Sequence, residues 1–255
     1  MFKKISPLAL LLLVLFSCEK ECPKPPCADA DLEKGLLAYY PFNGNANDVS
    51  GNGNNGVLKN GASFGADYIG RANKAATFDG FDDYIIVTDN GKLNADEMTI
   101  TAMVMVRSTN RRHMILGKEN FENASAVSWG IGQSLDVTNK WEFAVANSNE
   151  DCTKQHVFDP SINISGPETL QAGRWYQVIC TFGNGKQSLY VDGKLKASTN
   201  RDFQTLKKCM ASQLTIGGWW KNDIVSIDGN IDEVRLYNRV LSECEIAELS
   251  EIFIE

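Results

Sequence analysis

Apolar and polar positions alternate with a period of two along most of the chain beyond residue 35, and amphipathic helical spacing is nearly absent. The run Met98-Thr-Ile-Thr-Ala-Met-Val-Met-Val106 sets Met98, Ile100, Ala102, Val104 and Val106 on one face and Thr99, Thr101, Met103 and Met105 on the other. The same pattern predicts strands over Leu36–Phe42, Ala75–Phe78, Tyr84–Val87, Ala126–Ile131 and Lys140–Ala146. A later set covers Trp175–Phe182, Ser188–Val191, Leu195–Ser198, Leu214–Gly217 and Asn230–Tyr237. Turn dipeptides separate them, among them Asp79-Gly80, Asn90-Gly91, Asn184-Gly185 and Asp192-Gly193, and Tyr190–Leu195 reads as a tight hairpin. Many short strands with one apolar face each predict an all-β fold of two antiparallel sheets packed face to face. One short C-terminal helix is expected from Ser242 to Leu249, where Ser242 and Glu245 form a capping box.

The first residues read as an address. Lys3 and Lys4 precede an apolar run from Leu8 to Phe16, too short to cross a hydrocarbon core as a mature helix and suited to a secretory signal over 1–17. It ends in Leu15-Phe16-Ser17-Cys18, which resembles a bacterial lipobox. That resemblance implies acylation of Cys18 and an extracytoplasmic, outer-membrane-anchored protein, periplasmic or surface-exposed. Multiple acyl chains would give a stable anchor. Residues 18–34 are charged and rich in proline, with Pro23, Pro25 and Pro26, and are expected to form a tether before a single domain over 35–255.

Composition narrows the function. Lys plus Arg is 25 against 32 for Asp plus Glu, a formal charge of −7, with no basic cluster to follow a phosphate backbone, so nucleic acid is excluded as a partner. The two histidines, His113 and His156, are too few for a multi-histidine metal centre. Arg111-Arg112-His113 reads as a solvated turn.

Seven cysteines fit an oxidising compartment. Beside Cys18 there remain Cys22, Cys27, Cys152, Cys180, Cys209 and Cys244, whose pairing spacing alone leaves open. Cys22 and Cys27 suit a local loop, and Cys152 and Cys209 suit a staple between two loops. Cys180 and Cys244 read equally as buried thiols or as bonded. No Cys-x-x-Cys occurs, so neither redox catalysis nor a zinc ribbon is supported.

Residues 43–60 hold seven Asn and four Gly around the single acid Asp48. Either this is a long irregular surface loop, or it folds tightly enough to aim carbonyl oxygens and the Asp48 carboxylate at one calcium ion.

Five blocks in register carry a family resemblance. Tyr39-Tyr-Pro-Phe-Asn-Gly-Asn-Ala-Asn-Asp-Val-Ser-Gly-Asn-Gly-Asn-Asn-Gly56 resembles the opening strand and loop of laminin-G-like, concanavalin A-like jelly rolls. Ala76-Thr-Phe-Asp-Gly-Phe-Asp-Asp-Tyr-Ile85 resembles their second block, and Met98-Thr-Ile-Thr-Ala102 a third in which Met103 replaces the usual Trp. Arg174-Trp-Tyr-Gln-Val178 with Leu189-Tyr-Val-Asp-Gly193 resembles the central hairpin, and Gly229–Ser242 the closing strand and the turn into its helix. The resemblance implies a two-sheet jelly roll with a structural calcium where the Asn/Gly loop meets the closing strand. Carried over by position, Asp48 and Asn52 would be ligands from the loop and Asp232 from the last strand. An ion there would tie the two chain ends and stabilise only the folded form. The alternative for Asp232 is pairing with Arg235 or capping a turn.

Glycoside hydrolases of this sandwich carry Glu-x-Asp-x-x-Glu on one strand face, and no such run occurs here. Glu142 has Ala144 where a partner acid would stand, and strand alternation sends Asp232 and Glu233 to opposite faces. No Gly-x-Ser-x-Gly elbow occurs either. A non-catalytic binding module is therefore expected, with a glycan or a surface protein as its ligand. Trp129, Trp141 and Trp175 lie within predicted strands and are expected to be buried. Trp219-Trp220, next to the polar Lys221-Asn-Asp223, is expected to place one ring inward and one outward as a ligand platform, or else to form a lid over the sheet edge.

Overall fold

The computed structural model describes residues 30–89, 91–120, 122, 125–133, 139–153, 163–166, 169–219 and 225–253. The signal segment, Cys18, Cys22, Cys27, His156 and Trp220 lie outside the described residues. Fifteen strands and one helix are described, in two antiparallel sheets.

The first sheet contains β1 (Leu36–Tyr40), β3 (Ser63–Gly65), β4 (Ala75–Asp79), β6 (Met98–Val106), β11 (Trp175–Gly183), β12 (Lys186–Val191), β13 (Lys194–Asn200) and β15 (Asp228–Tyr237). Its order is β13-β12-β11-β6-β15-β4-β3, with β1 also on β15. The second runs β10 (Asn163–Ser165), β9 (Trp141–Val145), β8 (Ser125–Gln133), β7 (Met114–Asn120), β14 (Gln213–Ile216), β5 (Tyr84–Val87) and β2 (Val57–Lys59). The predicted alternation of β6 holds: Ile100, Ala102, Val104 and Val106 join Val178, Cys180 and Phe182 of β11 in one core with Trp129, Ile131, Phe143, Leu214 and Ile216 of the facing sheet.

Strand β15 carries the register of the first sheet. Its first half pairs with β4 (Asp228↔Asp79 to Ile231↔Ala76) and its second half with β1 (Tyr40↔Val234 to Leu36↔Tyr237), while β6 lies along its other edge. Between the halves the register shifts at Glu233, whose φ of 51° marks a bulge.

The helix α1 (Glu243–Glu251) starts at the predicted cap: Glu245 N donates to Ser242 Oγ at 3.2 Å and Ser242 N donates back to Glu245 Oε2 at 2.8 Å. Glu245 also takes Arg239 in a two-pronged contact at 2.6 and 2.8 Å, and these hydrogen bonds hold its carboxyl down at about 2. Ile246 and Leu249 pack on Ile179 and Tyr237, so the helix lies against the outward face of the first sheet. Cys152 and Cys209 form a disulfide, and Cys244 on α1 is disulfide-bonded as well. Cys180 is a free, fully buried thiol whose pKa burial pushes up.

The alternation pattern misses β7. His113, just before it, is wholly buried rather than part of a solvated turn, and Lys118 and Glu119 within it are buried too. Lys118 Nζ pairs with Asp89 and donates to Ser212 Oγ, so a polar strand interior is satisfied from within.

Candidate functional site

The Asn/Gly loop is built around Asp48. Its Oδ1 accepts N–H bonds from Tyr39 at 3.0 Å and Ser50 at 2.9 Å, and its Oδ2 accepts one from Asn54 at 2.9 Å. Burial works to raise this carboxyl, but the bonds from Ser50, Tyr39 and Asn54 outweigh it and leave the pKa lowered. Asn52 Nδ2 donates to the Leu36 and Leu37 carbonyls at 2.9 and 3.1 Å, and Asn54 Nδ2 to Leu37 at 2.9 Å. Gly51 and Gly53 turn the chain at φ of 90° and 75°, with open space where a Cβ would stand, so backbone conformation rather than crowding demands glycine.

Asp232 lies on β15. It is buried on the outward face of the first sheet, where Oδ1 accepts from Glu233 N at 2.8 Å. Burial, then the charges of Glu233 and Asp67, pushes its carboxyl up to about 8. No hydrogen bond links Asp48 or Asn52 to Asp232 among the described residues. Asp48 collects amide donors, and Asn52 turns its amide nitrogen to the β1 carbonyls. Both side chains are thus committed to backbone groups of the loop and of β1.

The bulge at Glu233 also corrects the expected alternation. Glu233 Oε2 accepts the Tyr39 hydroxyl at 2.6 Å and pairs with Arg235 at 2.9 Å, contacts that place it on the same outward face as Asp232. Arg235, stacked 4.0 Å from the centre of the Tyr39 ring, therefore pairs with Glu233 and not with Asp232.

Of the two adjacent tryptophans, Trp219 is described, and it faces inward. Only 8% exposed, it packs with Met114 and Val127, and its ring lies against the bare backbone of Gly117. It is therefore no platform. Trp129 and Trp141 are buried as expected, whereas Trp175 is only half-buried. Alternation explains the difference: Tyr176 and Val178 enter the core, so Trp175 and Gln177 face outward.

There Trp175 lines a cavity of about 310 Å³ with Tyr68, Met103, Arg174, Gln177, Asp192 and Phe253. Five parts of the chain meet in it. Asp192 and Gly193 form the two-residue turn between β12 and β13 with φ of 50° and 69°, as a type I′ hairpin requires. That turn aims Asp192 back at β11: Oδ1 accepts from Gln177 N at 3.0 Å and Oδ2 from Arg174 Nη2 at 2.6 Å. The Arg174 guanidinium lies 4.4 Å from the Tyr176 ring centre. Gln177 is used up by α1, donating to the Leu249 carbonyl at 2.9 Å and accepting from Ser250 Oγ at 2.6 Å. That clamp brings Phe253 to the cavity, where it meets Tyr68 edge to face at 5.4 Å. Tyr68 is carried by a loop that Asp67 closes through Ile69 N, Arg71 N and Arg71 Nε. Tyr68, Asp192 and Phe253 come from loops and the chain end, which no periodicity marks. Trp175 was findable from the alternation of its own strand.

An acidic group elsewhere, Asp79, Asp82 and Asp83, gathers its carboxylates at the β4–β5 turn. Its buried member is already occupied, because Asp83 accepts from Gly61 N at 2.6 Å and Asp79 N at 2.9 Å.

Known proteins share this architecture. The sequence model of the laminin G-like group within the concanavalin A-like lectin/glucanases superfamily matches residues 78–247, and the chain belongs to that superfamily. Domain 4 of AbnA, a GH43 extracellular arabinanase from Geobacillus stearothermophilus, solved in complex with arabinotriose, superposes with a TM-score of 0.59 at 19% identity over 84% of this chain and 98% of that one. The binding domain of Paraclostridial Mosquitocidal Protein 1 superposes at 0.66 with 16% identity, over 88% of this chain and 53% of that one. A Trypanosoma rangeli sialidase does so at 0.59 with 19% identity, over 85% of this chain and 32% of that one. The chain thus spans about half the toxin binding domain and a third of the sialidase. No match was found among curated proteins.

Proposed function

We propose that this protein is a non-catalytic carbohydrate-binding module held at the cell envelope by a lipid on Cys18, and that the Trp175 cavity is its binding site. One observation carries the reading: three aromatic rings and a single ion pair converge on a cavity open to the outward face of a rigid sheet. A sugar ring offers an apolar C–H face for an aromatic side chain and hydroxyls for a few fixed polar groups. Trp175 supplies the first. Arg174 and Asp192 supply the second, each pinned by a partner of its own. The oligosaccharide bound to the superposing arabinanase domain is in keeping with such a role for the fold.

The carboxylates support binding without turnover. In most families glycoside hydrolysis uses two carboxyl groups flanking the scissile bond. Among the described residues the cavity is lined by one, Asp192, and both its oxygens already accept bonds. Asp232 and Glu233 share the outward face but do not line the cavity. The Cys152–Cys209 disulfide suits the oxidising compartment to which residues 1–17 would direct the chain.

Glycan-array binding by the protein, lost in a folded Trp175→Ala variant, is the expected result. Binding that survives that change, or a protein partner with no glycan bound, would reverse it.

A further inference from the structure

The way charge is paired around the Trp175 cavity bears on which sugars enter it, a selectivity that presupposes a glycan as the ligand. Arg174 is the one cation lining the cavity among the described residues, and its Nη2 is 2.6 Å from Asp192 Oδ2. The neighbouring arginines of the same face are likewise taken: Arg71 by Asp67 at 2.6 Å and Arg235 by Glu233 at 2.9 Å. Asp232 adds no positive charge in either protonation state. Recognition of a carboxylate or sulfate calls for a cation that can face it, most effectively an arginine fork.

From this pairing we infer that the cavity selects uncharged sugars and excludes glycans bearing carboxylates or sulfates. An acidic sugar would meet an Arg174 whose charge Asp192 already balances, and would set its own negative charge a few ångströms from the Asp192 carboxylate. The overall charge of −7 repels anions at long range as well. A neutral sugar meets no such barrier. Asp192 accepts one bond on each oxygen, so lone pairs remain for sugar hydroxyls, and the guanidinium keeps donors beyond the one given to Asp192. At about 310 Å³ the cavity is at the small end of ligand sites, which run from roughly 300 to 1,000 Å³. It has room for one ring and part of the next, which favours recognition of a single residue or chain end.

The test is an array of neutral, sialylated, uronic-acid and sulfated oligosaccharides at low ionic strength, followed by calorimetry on the hits. Three proteins are compared: the wild type, Trp175→Ala and Asp192→Asn. Asparagine tolerates the left-handed backbone of position 192 and can still accept from Gln177 N, so the turn persists while Arg174 loses its counter-charge. The wild type is expected to bind neutral sugars alone, with affinity falling about tenfold or more in Trp175→Ala. Asp192→Asn is expected to gain acidic glycans, binding them about tenfold better than the wild type does. Trp175-dependent binding of acidic glycans by the wild type would overturn the inference and leave the glycan reading standing. An array with no Trp175-dependent binding of any kind would overturn both.

Discussion

Trp219 lies against Gly117: a Cβ built on that glycine would stand 2.5 Å from the six-membered part of the indole. Gly117 pairs with Thr215 of β14 and with Gly130 of β8, so its backbone is fixed from both sides and only the ring can yield. A strand glycine usually marks close approach by another group, and here the group is a large aromatic ring. This berth is what draws Trp219 inward.

Gly117→Ala is therefore expected to destabilise by about 1–3 kcal/mol, the usual cost of overpacking a well-filled site. Trp219→Leu, which removes the ring, should relieve much of that penalty when the two changes are combined, giving a coupling readable in denaturant melts. An alanine variant as stable as the wild type would show that the ring is not confined.

Asp48 is expected to hold the Asn/Gly loop to β1 without help from an ion. Asp48→Ala strands the amides of Tyr39, Ser50 and Asn54, and should cost on the order of 2–3 kcal/mol. Melting temperatures with and without a strong chelator should coincide for the wild type. A midpoint that falls on chelation and recovers with calcium would show that the loop rearranges around a cation.

The sandwich was legible because most of its strands are half-buried and obey a period of two, as in β6, and because Asp192-Gly193 and Ser242 with Glu245 carry local chemistry that fixes a turn and a helix start. Where sequence reasoning failed, long-range polar partners were at work. Strand β7 hides behind Lys118, which is buried only because Asp89 and Ser212 reach it from distant loops. The placement of Glu233 depends on a bulge forced where β15 changes partners from β4 to β1, and nothing local in Ile231-Asp-Glu-Val234 announces it. Of the candidate site, Trp175 and Asp192 stand in recognisable blocks. Tyr68 and Phe253 are brought in by an Asp67-closed loop and by the Gln177 clamp on α1, contacts between residues far apart in the chain.

Stability should also depend on pH through His113. The ring is fully buried, with Nε2 donating to the Ser108 carbonyl at 2.7 Å and Nδ1 accepting from Asp228 N at 3.2 Å. These roles require the neutral ring protonated on Nε2. Burial is the main force lowering its pKa from 6.5; Arg111 adds to it, while the bond to Ser108 and the Asp228 charge oppose it. The unfolded chain therefore binds a proton more readily than the folded one. Stability contributed by the neutral ring is present above 6.5 and is lost as pH falls from there toward the lower folded-state value. Asp232, held at about 8 in the fold, opposes this by gaining stability as pH falls, so the His113 contribution is read as the wild-type midpoint minus that of a non-titrating variant, a difference that should fall between about pH 7 and 5. His113→Gln keeps a donor and an acceptor but does not titrate, so its midpoint should gain on that of the wild type as pH falls through this range, even if the variant is less stable throughout. An unchanged slope in that variant would mean that His113 is protonated as easily in the folded protein as in the unfolded chain.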